Sequence, residues 1–149
     1  MIFISFFLDG IISLYVNKLI PLFTLTSIII ASYYKKEDRL LKESVIVGIL
    51  YDVTYTNTVI LNSLIFFILT LLVINLNKRF NKNLPNLIFI NIFILTIYLI
   101  TTYLLLVIYQ YLYFNISYLF ISIFKSVIIN TIYVMIIYLI LRYKKVKFA

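Results

Sequence analysis

The chain has 149 residues, of which 64% are hydrophobic and 12% charged, and its formal net charge is +8. Because soluble domains carry about 25% charged residues, this composition excludes an ordinary soluble protein and indicates an all-α integral membrane protein. Cysteine, histidine and tryptophan are absent, which excludes disulfides, thiol chemistry and the usual zinc or haem ligands.

Six apolar segments follow one another, separated by short polar or charged joints. They are residues 1–16, 22–34, 44–55, 58–76, 86–111 and 118–141. A spanning helix needs about 20 residues, so the sequence predicts a bundle of about six transmembrane helices in a single polytopic domain, residues 1–149. The first segment is short for a span, which leaves a re-entrant helix open. Pro85 is expected at the N-terminus of the fifth helix.

The basic residues predict the orientation of these spans. If six spans place both termini on one side, that side holds all of the 13 Lys and Arg residues except Lys18 and Lys125. Short basic loops stay in the cytoplasm, so both termini are predicted to be cytoplasmic. Topology thus accounts for the positive charge, and nucleic acid is not implied. The basic loops could bind anionic lipid, and the charged segment 35–43 is either a solvated turn or a partner-docking loop.

Three ionisable residues, Asp9, Asp52 and Lys125, lie within predicted spans. A charge in the bilayer costs roughly 2.5–3.5 kcal/mol on insertion scales, so such residues are expected to find partners. Asp52 and Lys125 are predicted at similar depth in the outer half of the membrane. We therefore expect an Asp52–Lys125 pair, with Asp9 as an alternative partner for the lysine. Such a pair would fix helix register or form a ligand or proton site; Lys125 could instead snorkel to the outer interface.

The segment from Gly48 to Leu64 is the most distinctive part of the chain. On a helix, Gly48, Tyr51, Asp52 and Tyr55 share one face. A glycine at this position is expected to let a neighbouring backbone approach closely, and the second glycine, Gly10, also adjoins an intramembrane aspartate. The chain lacks a nucleophile motif, a phosphate-binding loop and a metal-ligand cluster. We therefore expect neither an enzyme nor a cofactor.

The element Gly48-Ile-Leu-Tyr-Asp52, followed by a short polar joint and Asn62-Ser-Leu64, resembles the rod shape-determining protein MreD family. Asp9-Gly10 and the start of the second segment, Pro21-Leu-Phe-Thr24-Leu, are similar to members from low-GC Gram-positive bacteria. Many members carry a glycine shortly before the Asn-x-Leu element, near Ile60 here, and this chain has none.

This resemblance implies a non-enzymatic component of the cell-elongation machinery in the bacterial cell membrane. Members act with the membrane-anchored MreC, the actin-like MreB and cell-wall synthesis enzymes to position lateral peptidoglycan synthesis. The alternative is the substrate-capture subunit of an energy-coupling-factor vitamin transporter, in which Asp52, Asn57 and Lys125 would contact a ligand. The candidate structural or interaction residues are Asp9, Gly10, Gly48, Tyr51, Asp52, Asn57, Asn62 and Lys125.

Overall fold

A computed structural model describes residues 1–15, 22–56 and 60–143, and within these ranges the chain is helical with short connections and no strand. The predicted all-α class is confirmed. The helices of the described part are α1 (Ile2–Tyr15), α2 (Phe23–Ala31), α3 (Glu37–Tyr51), α4 (Leu61–Arg79), α5 (Leu84–Ile108) and α6 (Ile116–Tyr143). A π-helical turn, Asp52–Thr56, directly extends α3.

Consecutive helices pair as antiparallel hairpins, α1 with α2, α3 with α4 and α5 with α6. In the first hairpin, the Tyr34 hydroxyl, just after α2, donates to the sulfur of Met1 at 3.6 Å. In the second, Lys78 Nζ near the end of α4 lies 3.1 Å from the Glu37 carboxylate at the start of α3. In both hairpins the helix ends next to the charged joints therefore lie side by side.

Helix α2 occupies the centre of the bundle. All nine of its residues are buried, and it packs against α1, α3, α4, α5 and α6. At about 1.5 Å per residue it is about 14 Å long, roughly half the thickness of the hydrocarbon core. The first backbone N–H groups of α2 therefore lie inside the protein, where they need acceptors.

Three of the described helices, α4, α5 and α6, are long and apolar enough to cross a membrane. The first three helices are shorter, so the predicted six full spans do not follow from helix length. Helix α3 also starts at Glu37, seven residues before the predicted start at Ser44. Acidic side chains favour the first turn of a helix, and Glu37 and Asp38 lie there. Most of the predicted charged loop thus forms the first turns of α3.

The start of α5 agrees with the prediction for Pro85. The proline lies in the first turn of the helix, where its missing N–H costs nothing. The side chain of Asn83 precedes it and accepts a hydrogen bond from the backbone N–H of Asn86 at 3.0 Å. This cap sets the direction in which the chain turns back from α4 into α5.

Candidate functional site

Asp52 lies where α3 widens into its π-helical turn, and its carboxylate holds the first turn of α4. Oδ1 accepts from the backbone N–H of Asn62 at 3.0 Å and from its Nδ2 at 2.9 Å. Oδ2 accepts from the backbone N–H of Ser63 at 3.2 Å. Asp52 is 1% exposed. The free N–H groups and the positive dipole end of α4 thus stabilise the buried carboxyl group.

Gly48 allows the two helices of this hairpin to come close enough for that contact. A Cβ atom at Gly48 would lie 2.9 Å from the backbone nitrogen of Ser63 and 3.0 Å from the carbonyl oxygen of Asn62. These neighbours are backbone atoms, which cannot turn aside as a side chain can. The prediction that Gly48 permits a close backbone approach is confirmed, and the approach faces the residues that Asp52 binds.

Ile60, which directly precedes α4, has left-handed backbone angles of φ 72° and ψ −7°. Glycine adopts this region without a steric penalty, whereas a β-branched residue is a genuine outlier there. This is the position near which the resemblance given in the sequence analysis predicts a glycine. The turn keeps its left-handed geometry without the residue best suited to it, so Ile60 is a strained position.

Asn62 extends the site from α4 to α5. Its Oδ1 accepts a hydrogen bond from the Tyr98 hydroxyl at 2.9 Å, and both residues are buried. The ring of Tyr51 packs on Phe66 of α4, with 5.5 Å between ring centroids. One carboxylate, one amide and one phenol therefore tie α3, α4 and α5 together, with an aromatic contact beside them.

Asp9 repeats the arrangement in the first hairpin. Its Oδ1 accepts from the backbone N–H of Phe23 at 2.9 Å, and its Oδ2 from the backbone N–H of Thr24 at 2.9 Å. The Thr24 hydroxyl also donates to Oδ2. Asp9 is 3% exposed. The buried N-terminus of α2 thus receives its acceptors from α1, as the buried N-terminus of α4 receives them from Asp52.

Gly10, next to Asp9, differs from Gly48 in what lies beside it. Its neighbour is a side chain, whereas the neighbours of Gly48 are backbone atoms. A Cβ at Gly10 would meet the ring of Tyr55, whose Cζ atom lies 3.2 Å away. The Tyr55 hydroxyl donates to the carbonyl oxygen of Phe6 at 2.9 Å. Tyr55 thereby connects the π-helical turn after α3 with α1, and brings the two aspartate sites into one region of the protein.

The third hairpin uses a neutral side chain for the same task. The Tyr103 hydroxyl on α5 accepts from the backbone N–H of Asn115, which directly precedes α6, at 2.6 Å, and donates to its carbonyl oxygen at 3.0 Å. Asn115 Oδ1 in turn accepts from the N–H of Tyr118 at 3.1 Å. In each hairpin a side chain of the first helix therefore binds the start of the second.

The predicted Asp52–Lys125 pair is wrong. The described ion pairs lie at the basic end of the bundle and join Lys35 and Arg39 to Glu43, and Lys78 to Glu37. Lys125 is exposed on α6, and among the described residues it pairs with neither Asp52 nor Asp9. Both carboxyl groups instead accept hydrogen bonds from backbone N–H groups, which satisfy their buried oxygen atoms without a cation. The predicted Asn57 lies outside the described residues.

A second polar cluster attaches α6 to the first hairpin. The Tyr133 hydroxyl lies 2.7 Å from Ser5 Oγ and 3.1 Å from Ser27 Oγ. Thr26 donates to Asn130 Oδ1 at 3.0 Å. Interhelical contacts of this kind hold helices together where water is absent. They fix which face of α6 looks into the bundle.

One buried amide is left without a partner. Asn91 of α5 is fully buried, and neither atom of its amide group makes a hydrogen bond within the described part of the chain. An unpaired buried polar group of this kind costs about 1–3 kcal/mol. Asn91 therefore costs the bundle stability at this position.

The hydrogen bonds of Asp9 and Asp52 hold neighbouring helices together. The carboxylates are enclosed, each of their oxygens accepts at least one hydrogen bond, and the described residues contain no group of three His, Cys, Asp or Glu side chains that could hold a metal. The aspartates and Gly48 were apparent from the sequence because charge and glycine are rare there. Tyr98 and Tyr103 were missed, because one hydroxyl among many Tyr residues carries no distinguishing signal.

Apolar helices long enough to span and buried polar contacts between them define the class: a small helical membrane protein. The model of one family, rod shape-determining protein MreD, matches residues 1–145. The chain belongs to this family and is a component that determines rod shape. Comparison with curated proteins and with solved structures gave no match. The vitamin-transporter alternative finds no support in the family match, and the ligand contacts it required from Asp52 and Lys125 are not brought together.

Proposed function

We propose that this chain is a non-enzymatic membrane component of the cell-elongation machinery, where it helps to position lateral peptidoglycan synthesis. The observation that carries the proposal is the family match over residues 1–145. The geometry supports it, because the conspicuous polar residues among those that the structure describes join helices to one another. In this role the bundle is a rigid platform that presents its outer surfaces and loops to other proteins.

The platform is a single multi-pass domain of the bacterial cell membrane with both termini in the cytoplasm. The charge distribution supports this orientation, since basic side chains collect at one end of the hairpins. The helices α1, α2 and α3 are short for a membrane span, and packing against neighbouring helices accommodates them in the bundle. In particular, α2 is enclosed by protein along its whole length, so lipid thickness does not limit it.

The proposed partners follow from the family: an MreC-like membrane protein, an MreB-like actin homologue bound directly or through other proteins, and cell-wall synthesis enzymes. The basic end is suited to anionic lipid, at about 1 kcal/mol for each Lys or Arg near the surface. Its acidic residues Glu37 and Glu43 are already paired with lysine or arginine. Basic side chains therefore dominate what this end offers to a membrane or a filament.

A complementation experiment tests the proposal. The full chain is expressed in a rod-shaped bacterium depleted of its own MreD protein, with membrane abundance followed through a tag. We expect rod shape to return, together with fluorescent D-amino-acid incorporation along the side wall. The Tyr113→Ser variant, changed at a fully exposed residue, serves as a matched control. Round cells despite normal membrane abundance, in the source species as well as the test strain, would overturn the proposal.

A further inference from the structure

Helix α6 has one face in the bundle and one face that the rest of the protein leaves uncovered. Ser126, Asn130 and Val134 are buried. Of the three long helices α6 is the least enclosed, with 17% of its apolar segment buried compared with 39% for α4 and for α5. The helix is thus held along one stripe, and its opposite side is free for contact.

The uncovered side carries an ordered row of large apolar residues, which we call the outer stripe. Its members are Ile121, Phe124, Ile128, Ile132, Met135 and Leu139, all of them exposed. Successive members are three or four positions apart, the spacing with which one helix packs along another. Lipid tails can cover such a row, so its apolar character alone does not identify what lies against it.

Lys125 lies within this row and is exposed. It is nine residues beyond Ile116, the first residue of α6, which corresponds to about 14 Å along the helix axis. Ionisable residues inside transmembrane segments almost always face protein or water rather than lipid. Within the described residues Lys125 makes no ion pair, while its flanking neighbours Ile121, Phe124 and Ile128 are apolar.

We infer that the outer stripe with Lys125 is the docking surface for one transmembrane helix of a separate membrane protein, a helix that carries an Asp or Glu facing Lys125. The apolar members of the stripe would pack against that helix, and the ammonium group would meet its carboxylate. This inference rests on the proposed function for the place of the partner, a membrane protein of the shape-determining assembly.

A second copy of this chain does not supply the required carboxylate. The chain has five acidic residues. Asp9 and Asp52 are buried and hold the first turns of α2 and α4. Glu37, Asp38 and Glu43 lie at the opposite, basic end of the bundle, in the first turns of α3. The charge that complements Lys125 at its depth therefore comes from another protein.

Photocrosslinking in cells tests this surface. A benzophenone amino acid replaces Phe124 on the outer stripe, and Phe67 on the uncovered side of α4 serves as the matched control. The expected adduct from position 124 is a separate membrane protein with an Asp or Glu inside the transmembrane helix that is crosslinked. With Lys125→Leu its yield falls about tenfold, a change of about 1.4 kcal/mol, whereas Lys125→Arg keeps it. Lys125→Glu abolishes it, and changing the partner's carboxylate to lysine restores it.

Three outcomes would overturn the inference: adducts with lipid alone, adducts with a second copy of the chain, or a yield that Lys125→Leu and Lys125→Gln leave unchanged. The Tm of each variant in detergent shows that the bundle is intact, and Lys125→Gln replaces Lys125→Leu if the latter unfolds. Restored rod shape without the adduct rejects the docking surface and keeps the proposed function. A charge-dependent adduct without restored rod shape keeps the docking surface and rejects the proposed function.

Discussion

Asp52 Oδ1 binds Asn62 twice, through the backbone N–H at 3.0 Å and the side-chain Nδ2 at 2.9 Å. This pairing brings the C-terminal end of one helix onto the N-terminal end of the next. Because the first N–H groups of a helix have no partner within it, a carboxylate at that place satisfies donors that are otherwise costly inside a membrane. Charge, helix end and hairpin turn are therefore one structural unit.

Removing the Asp52 carboxylate should destabilise the contact between α3 and α4. Asp52→Leu leaves the N–H of Asn62, its amide group and the N–H of Ser63 without an acceptor, so we expect a loss of about 3 kcal/mol or more. Asp52→Asn keeps one oxygen and should lose about half as much. Asp38→Asn, at an exposed position in the first turn of α3, should change stability by about 0.5 kcal/mol. Thermal unfolding in detergent measures all three, and equal effects at Asp38 and Asp52 would contradict the assignment.

The two glycines should respond differently to the same change. Gly48→Ala introduces a methyl group against the backbone of Ser63, and overpacking of this kind costs about 1–3 kcal/mol. Gly10→Ala meets the far end of the Tyr55 side chain, which can rotate away, so its cost should be smaller. Comparison of the two Tm values tests this order. A Gly10→Ala variant less stable than Gly48→Ala would show that the α3–α4 approach is not the tighter contact.

Strain at Ile60 predicts a stabilising substitution. Left-handed angles cost an L-residue roughly 1–2 kcal/mol, so Ile60→Gly should raise stability by about 1 kcal/mol. Ile68→Gly is the matched control, because Ile68 is exposed within α4 and glycine in a helix interior costs about 1 kcal/mol. Chemical or thermal denaturation should move the two variants in opposite directions. Destabilisation of both would mean that Ile60 is not strained.

Asn91 offers a second route to a more stable protein. Asn91→Leu removes two unpaired amide atoms from the core and should stabilise the bundle by about 1 kcal/mol. The matched change Asn130→Leu removes an amide that accepts from Thr26 and donates to Ser126, and should destabilise by a similar amount. Both are measured as Tm shifts in the same detergent. A loss of stability in the Asn91 variant would contradict the assignment of its amide group as unpaired.

The proposed orientation can be read out with single cysteines, since the chain has none of its own. We expect a membrane-impermeant maleimide to label Tyr113→Cys, on the connection between α5 and α6, in intact cells. Asn81→Cys, on the connection between α4 and α5, should react only after permeabilisation. Both positions are exposed, so accessibility within the protein does not separate them. The opposite pattern would place the termini outside.

Composition and periodic apolar segments were sufficient to predict the helical class, and a rare glycine was sufficient to locate a close helix contact at Gly48. The partner of Asp52 could not be predicted in the same way. From the sequence, a buried carboxylate calls for a cation, and Lys125 was the cation at a suitable depth. The structure provides backbone N–H groups instead, and which helix ends are buried is a property of the whole bundle that no local pattern contains.

The length of α2 was also predicted incorrectly, for a related reason. An apolar run of about 13 residues predicts a span over 22–34, yet α2 ends at Ala31 and α3 starts at Glu37. Apolar character reports that a residue is removed from water, whether by lipid or by protein. Around α2 it is protein, so hydropathy could not indicate how short the central helix is.

The nine enclosed residues of α2 restrict how the protein is made. A helix of about 14 Å with bare ends has no stable place alone in a bilayer, because its terminal backbone groups would face hydrocarbon. It has to enter the membrane together with α1, whose Asp9 covers its start, and to wait for later helices to surround it. Biosynthesis of this protein therefore cannot proceed as a series of independently inserted segments, because α2 is fully enclosed only after α5 and α6, which are translated later, have packed against it.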